Sequence, residues 1–174
     1  MNSQIMMSEF AKELPFYEIV AVNENNYQEY LVQLREIYET NSSFFLLTEG
    51  KIASEQSMIN NIFSLPPNFD RANKFHLVLL ENGLAVGLLD LLAGYPKEDF
   101  LWIGLLLINV HKQNKAIGSN IVTATLKAAQ KSKFSLVRLG VIKQNIRGLR
   151  FWKKMGFVEI DKSDNIVILE LQLS

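Results

Sequence analysis

Between Phe100 and Val158 the chain carries eleven lysine and arginine residues and not one aspartate or glutamate, whereas residues 1–99 hold fourteen acidic and six basic side chains. A run of fifty-nine residues without a carboxylate suits a bound polyanion, because fixed negative charge beside phosphates costs Coulomb energy. A solvated basic face gives the same pattern, so charge alone leaves both readings open. Within the run, INVHKQNKAIGSNIVTATLKAAQ (residues 108–130) leads from an apolar segment into an amphipathic one, with Ala116, Gly118 and Ser119 where a helix would begin. Small residues there let a ligand approach the backbone. The unpaired amides of a helix start, aided by the helix dipole, form a ready anion site.

What the chain lacks narrows the chemistry further. It has no cysteine, which removes disulfides, thiolate-bound metals and a cysteine nucleophile together. Two histidines, His76 and His111, are too few for a histidine metal cluster, so no metal is expected, and no serine–histidine signature accompanies them. Net charge is zero and the isoelectric point is near 6.7, so no global field favours nucleic acid or an anionic membrane. The basic span lacks the clustered aromatics of single-strand binders and any zinc-finger pattern, and no nucleic-acid partner is expected. The loop at 113–119 matches neither a dinucleotide fingerprint nor the GxxxxGK[ST] pattern, which disfavours nicotinamide enzymes and ordinary nucleotide hydrolases. The longest apolar run, FLWIGLLLINV, spans eleven residues, too few to cross a membrane. Glu9, Lys12 and Glu13 interrupt the place where a signal peptide needs an apolar core, so the expected setting is soluble and cytoplasmic.

The elements that must position this loop follow from periodicity. With 174 residues, 48% of them hydrophobic, one domain over 1–174 is expected. After a frayed start, 16–22 reads as a strand and 27–38 as a helix, with Tyr27, Tyr30, Leu31, Leu34, Ile37 and Tyr38 on one face. Residues 40–43 break that helix. A second helix is expected at 54–63, ended by Pro66 and Pro67. Apolar runs at 75–80 and 84–92 flank Glu81-Asn82-Gly83, a hairpin signal, and 100–108 is a third strand after the turn at 94–97. Then come a helix at 116–131, a strand at 135–142, a helix at 146–155, and strands at 157–160 and 166–173. This order implies an α/β (α+β) fold: a mixed, mostly antiparallel central sheet of about six to seven strands flanked by about four helices.

Two segments carry a family resemblance. Gln113-Asn114-Lys115-Ala116-Ile117-Gly118 resembles the Q/R-x-x-G-x-G/A signature of the GNAT superfamily of N-acetyltransferases, with alanine in place of the first glycine. Further on, Asn145 to Phe157 (NIRGLRFWKKMGF) is similar to the family's N-x-x-A-x-x-(L/F)-Y-x-K-x-G-F segment, with Gly148 at its alanine. The resemblance implies acetyl-CoA as co-substrate. Leu106, Leu107 and Ile108 would offer backbone groups to its pantetheine arm, and Gln113, Asn114, Lys115, Ala116, Ile117, Gly118 and Ser119 would wrap its diphosphate. Asn145 would hydrogen-bond it, and the helix carrying Gly148 and Trp152 would flank it.

The implied reaction is direct attack of a primary amine, on a small molecule or peptide, at the thioester carbonyl, with an oxyanion stabilised by backbone amides near Leu106 and Leu107. The family's general-acid tyrosine falls at Trp152, whose indole N–H donates a hydrogen bond but transfers no proton near neutrality. If the leaving thiol resembles cysteine, its departure as thiolate at pH 7 forgoes only about 2 kcal/mol. The base matters more, because an amine resembling lysine is neutral in roughly one molecule in 2,500 at pH 7, a penalty of about 4.6 kcal/mol. The strand at 100–108 has no glutamate for this task. Glu98 and Asp99 just before it, and Asp90 in the preceding strand, are the candidates, with Trp152 completing the catalytic set. Solvated or structural roles remain open for each, as they do for His76 and His111. Tyr95 and Trp102 could line an acceptor pocket or simply pack. The acidic surplus of residues 1–99 fits a cationic amine, and a homodimer is allowed. The alternative is a coenzyme A-binding sensor or scaffold without catalysis.

Overall fold

A computed structural model describes residues 3–174. Ser3–Glu13 is a helix, α1, where the sequence suggested a frayed start. Met6 and Phe10 of this helix and Leu14 just after it recur every fourth residue and are buried with the main core cluster, against α5 (Ile117–Lys131). Glu9 and Glu13 reach Lys127 and Lys131 of α5 at 2.8 to 3.3 Å, fixing α1 along it. Strand β1 is Glu18–Ala21. A short 3-10 turn, Tyr27–Tyr30, opens the helical region, followed by α2 (Leu31–Thr40) and, after Asn41, by α3 (Ser42–Glu49). Helix α4, Glu55–Phe63, begins at a reciprocal cap: Ser54 accepts from the Ser57 amide, and the Ser57 hydroxyl accepts from the Ser54 amide.

The sheet has seven strands in the order β1-β2-β3-β4-β5-β7-β6, where β2 is Lys74–Glu81, β3 Leu84–Ala93, β4 Phe100–Ile108, β5 Leu136–Ile142, β6 Val158–Lys162 and β7 Ile166–Gln172. Every neighbouring pair is antiparallel except β4 and β5, which α5 joins as a parallel crossover. Helix α6 is Ile146–Lys154. One face of the sheet buries Leu77, Leu79, Leu89, Leu101, Ile103, Val137 and Leu139 with α1, α5 and Trp152 of α6. The other buries Val78, Leu80, Leu88 and Leu107 under Leu34, Ile37, Phe45, Met58 and Ile62 of α2, α3 and α4. This is the expected mixed, mostly antiparallel sheet, with six α-helices among the described residues rather than about four. The two additions are α1 and α3, the latter where a break was expected at 40–43.

One irregularity decides what the fold can do. Strands β4 and β5 pair only from Phe100–Leu136 to Ile103–Leu139 and then part, leaving 104–108 without a neighbour on that side. The parting coincides with a bulge. Asp90 opposes Leu105 and Leu91 opposes Ile103, so Gly104 has no partner on β3 and stands exposed at the opening.

Candidate functional site

The open edge of β4 is built from main-chain groups. Asn109 donates its amide to Val86 at 3.0 Å, which with the register makes Leu88–Leu107 a directly bonded pair. Leu107 therefore turns its N–H and C=O toward β3. Leu106 and Ile108 turn theirs toward the gap left by β5, so of the three residues expected to present backbone groups, two do so. The Ile108 carbonyl is already taken, accepting from the side-chain amides of Gln113 at 3.1 Å and Asn41 at 3.0 Å. What remains on the edge is the Leu106 N–H and C=O and the Ile108 N–H.

Just beyond the strand the chain turns through Val110–Lys112 and enters α5. Asn109 anchors this exit, donating to Glu36 at 2.8 Å and to the Ala85 carbonyl at 3.0 Å while accepting from the His111 amide. Asn114 and Ala116 both adopt a left-handed φ of 60°, with Lys115 between them in the ordinary region. Alternation of this kind turns successive amides toward one concave side, a nest for anions. Among the described residues no side chain caps α5 at Ala116, no acid lies in its first turn, and the amides from 114 to 119 find no partner within the chain. Six or so unpaired donors, concentrated at the positive end of a fifteen-residue helix, face the same end of the β4–β5 gap. Gln113, by contrast, turns its side chain back onto β4.

Helix α6 packs beside this loop. An ideal Cβ on Gly118 would stand 3.5 Å from Phe151 and from Ile108, which brings the two helices and the end of β4 together. Asn145 is the N-cap of α6, accepting from the Gly148 amide at 2.9 Å, so its oxygen is committed to its own helix and its amide NH2 remains available. A Cβ on Gly148 would sit 2.5 Å from that NH2, so the Asn145 side chain fills the space that the glycine leaves open. Trp152 is buried, edge-on to Phe151 and Phe157 at 5.0 and 5.2 Å. Its surroundings are those of a packing residue.

The carboxylates separate clearly. Glu98 and Asp99 are exposed at the closed end of the β4–β5 pair, five or more residues before the opening, and Asp99 accepts from Ser135 at 2.6 Å. Glu98 instead borders a shallow cavity of about 310 Å³ with Asp70, Asn73 and Phe69. Asp90 lies at the bulge itself. Its Oδ2 is 2.7 Å from His76 Nδ1 and 3.2 Å from Lys74 Nζ. The sequence offered no link among these three, because strand register alone sets His76 opposite Asp90. His111 is exposed beside the loop. Burial pushes the Tyr38 phenol well up, against the Asn61 hydrogen bond, with Asp90 and Glu49 charge raising it further, so it stays protonated near neutrality. Phe69, Tyr95 and Trp102 form an edge-to-face row at 6.1 and 5.7 Å, and the Trp102 indole extends toward Gly140 of β5.

The basic run is partly a structural device. Lys112 pairs with Glu81, Lys127 and Lys131 with α1, Arg138 with Glu170, and Lys153 lies 4.0 Å from Glu159. Among the described residues Lys115, Lys133, Lys143, Arg147, Arg150 and Lys154 have no acidic partner. No helix is long and apolar enough to cross a membrane, and no cluster of metal-ligating side chains occurs, in both cases among the described residues.

This geometry agrees with what comparison finds. A profile of the Acetyltransferase (GNAT) family matches residues 14–157, and the chain belongs to that family. Its fold is that of an acetyltransferase from Thermus thermophilus (TM-score 0.76, 18% identity, covering 90% of this chain and 97% of the other). It is also that of the PaiA N-acetyltransferase from Thermoplasma acidophilum, solved in complex with coenzyme A (0.64, 22%, 90% and 98%). The Escherichia coli ribosomal-protein-S18-alanine N-acetyltransferase is similar as well (0.62, 14%, 91% and 94%). No curated protein sequence matches. Family and fold together support acetyl transfer as the activity.

Proposed function

We propose that residues 1–174 form one cytoplasmic catalytic domain that transfers an acetyl group from acetyl-CoA to a primary amine of a small molecule or peptide. The observation that carries this reading is the opening between β4 and β5 with a nest of unpaired amides at its end. Those residues fit the co-substrate. The Leu106 N–H and C=O and the Ile108 N–H match the amides of a pantetheine arm laid along the strand edge. The amides of Lys115 to Ser119 match a diphosphate, and Lys115, Lys143, Arg147 and Arg150 are the free cations nearest in sequence for the remaining phosphate. Bound there, acetyl-CoA supplies an activated acyl carbon. The chain's task is to hold the acetyl carbonyl near Leu106, orient the amine and manage its protons. Asn145 contributes by starting α6, and Trp152 by packing it.

The row of Phe69, Tyr95 and Trp102 supports an acceptor whose apolar part lies against aromatic faces. A second reading, a coenzyme A-binding sensor, is favoured by the buried Trp152 where the family's tyrosine falls. Free-thiol release from acetyl-CoA, measured with a panel of primary amines, separates the two. Amine-dependent release is expected. Tight coenzyme A binding without it favours the sensor, and no coenzyme A binding overturns both readings.

A further inference from the structure

We infer that Asp90 receives the proton of the acceptor ammonium, held for that task by His76 and Lys74 and reached past Gly104; the inference rests on the transferase reading above. Only one oxygen of the Asp90 carboxylate is used by the fold. Oδ2 accepts from His76 Nδ1 at 2.7 Å and is ion-paired with Lys74 Nζ at 3.2 Å, whereas Oδ1 accepts nothing among the described residues. An ionised carboxylate only accepts, so His76 carries its proton on Nδ1, and its Nε2 is left buried without a partner. Lys74 is fixed by two further acceptors, the carbonyls of Asn61 at 2.7 Å and Ser64 at 2.9 Å. The unit is anchored on one side and bare on the other, an arrangement that a purely structural ion pair does not require.

The bare side faces the place where chemistry belongs. An ideal Cβ on Gly104 would lie 2.8 Å from Asp90 Oδ1, closer than real Cβ contacts come. Gly104 is the exposed bulge residue at which β4 leaves β5, and Asp90 is the register partner of Leu105, one residue from the open edge at Leu106. The absent side chain therefore leaves a path from the opening to a carboxylate oxygen whose side chain is otherwise only 9% exposed. Charged and titratable groups around it are Lys74 and His76 on β2 and Tyr38 on α2, whose phenol stays protonated.

The proton count closes. The ammonium gives one proton to Asp90 Oδ1, directly or through one water. The freed nitrogen lone pair forms the N–C bond to the acetyl carbon as the C–S bond breaks, with that pair of electrons leaving on sulfur. The nitrogen's second surplus proton joins the departing sulfur as thiol, and Asp90 returns its proton to water.

The test compares wild type with Asp90→Asn and with Gly104→Ala, whose methyl would meet Oδ1 at 2.8 Å and so forces that oxygen away from the opening. Two amines serve: phenethylamine, an ammonium at pH 7, and 4-methylaniline, uncharged there. General-base assistance is typically worth at least about a hundredfold, so thiol release with phenethylamine at pH 7 should fall by that order in both variants. The deficit should shrink about tenfold per pH unit toward pH 9 as free amine accumulates. With 4-methylaniline the loss should stay within about fivefold. Phenethylammonium binding to the protein saturated with coenzyme A, a complex that cannot react, should weaken at least tenfold in Asp90→Asn by calorimetry. A deficit indifferent to pH and to acceptor basicity in either folded variant, or unchanged ammonium affinity, overturns the Asp90 assignment alone. Wild-type protein that releases no thiol with any amine, or binds no coenzyme A, overturns the transferase reading itself.

Discussion

Ala116 occupies a left-handed backbone position at the start of α5, with φ 60° and ψ 8°. A residue with a Cβ pays roughly 1–2 kcal/mol there, because the methyl crowds the following carbonyl. Replacement by glycine removes that strain but frees the unfolded chain, at a cost of about 0.4–1 kcal/mol. The side chain is exposed, so no packing is lost. Ala116→Gly should therefore stabilise the protein by about 0.5–1 kcal/mol, a rise of about 1–4 °C in Tm for a chain of this size. Ala116→Val, β-branched and worse suited to this region, should lower Tm. Differential scanning calorimetry of the three proteins without ligand measures this. Coenzyme A affinity should change by less than about threefold in Ala116→Gly, because the amides keep their directions. A lower Tm for the glycine variant would show that the loop is not strained at Ala116, and the account of a preformed amide nest would fail with it.

Further expectations concern the loop, the second helix and the N-terminal clamp. The Cβ of Gly118→Glu meets only ordinary contacts at 3.5 Å, and the change places an acid in the first turn of α5, so Tm should hold, while coenzyme A affinity measured by calorimetry should fall at least tenfold by repulsion from the diphosphate. Asn145→Ala removes the cap of α6 and should cost about 1 kcal/mol, a loss of about 2–4 °C by thermal melting. Lys12 first, and then Lys131, hold the Glu9 carboxyl at about 2, below its ordinary 4.5. Because folding depresses this value, the clamp's contribution is complete above pH 4.5 and is lost as pH falls toward 2, whereas Lys131, raised first by Glu9 and then by Glu13, loses its share only as pH rises above 10.5. A carbon NMR titration of Glu9 should find its midpoint near 2, moving upward in Lys12→Met and in high salt, since the pair is exposed.

The parts of this molecule that the sequence announced are those governed by local rules. The nine-residue apolar run of β4, the Asn82-Gly83 hairpin and the helix α4 near 54–63 all depend on neighbours within a few positions, and each lies where periodicity and turn chemistry suggest. Helix α1 was missed although Met6, Phe10 and Leu14 repeat every four residues. Three apolar positions mark so short a helix only weakly, and its stability comes from α5, more than a hundred residues away. The acid-free run suited a bound polyanion or a solvated basic face, but Glu9, Glu13, Glu81, Glu159 and Glu170 come from elsewhere to pair with almost half of its cations. Glu98 and Asp99 were chosen for proximity to β4 in sequence; the strand runs from its closed end to its open end, and they precede its closed end, five or more residues before the gap. Asp90 gains its position from the bulge at Gly104 and from register with His76, neither of which leaves a mark on the sequence.

The most direct measurement is an NMR titration of nitrogen-15-labelled protein with coenzyme A. The amides of Lys115, Ala116, Ile117, Gly118 and Ser119, with those of Leu106 and Ile108, should shift together and saturate with a single dissociation constant. Saturable shifts that bypass this loop and the open edge of β4, or no shifts at all, would contradict the claim that these main-chain donors bind the thioester carrier.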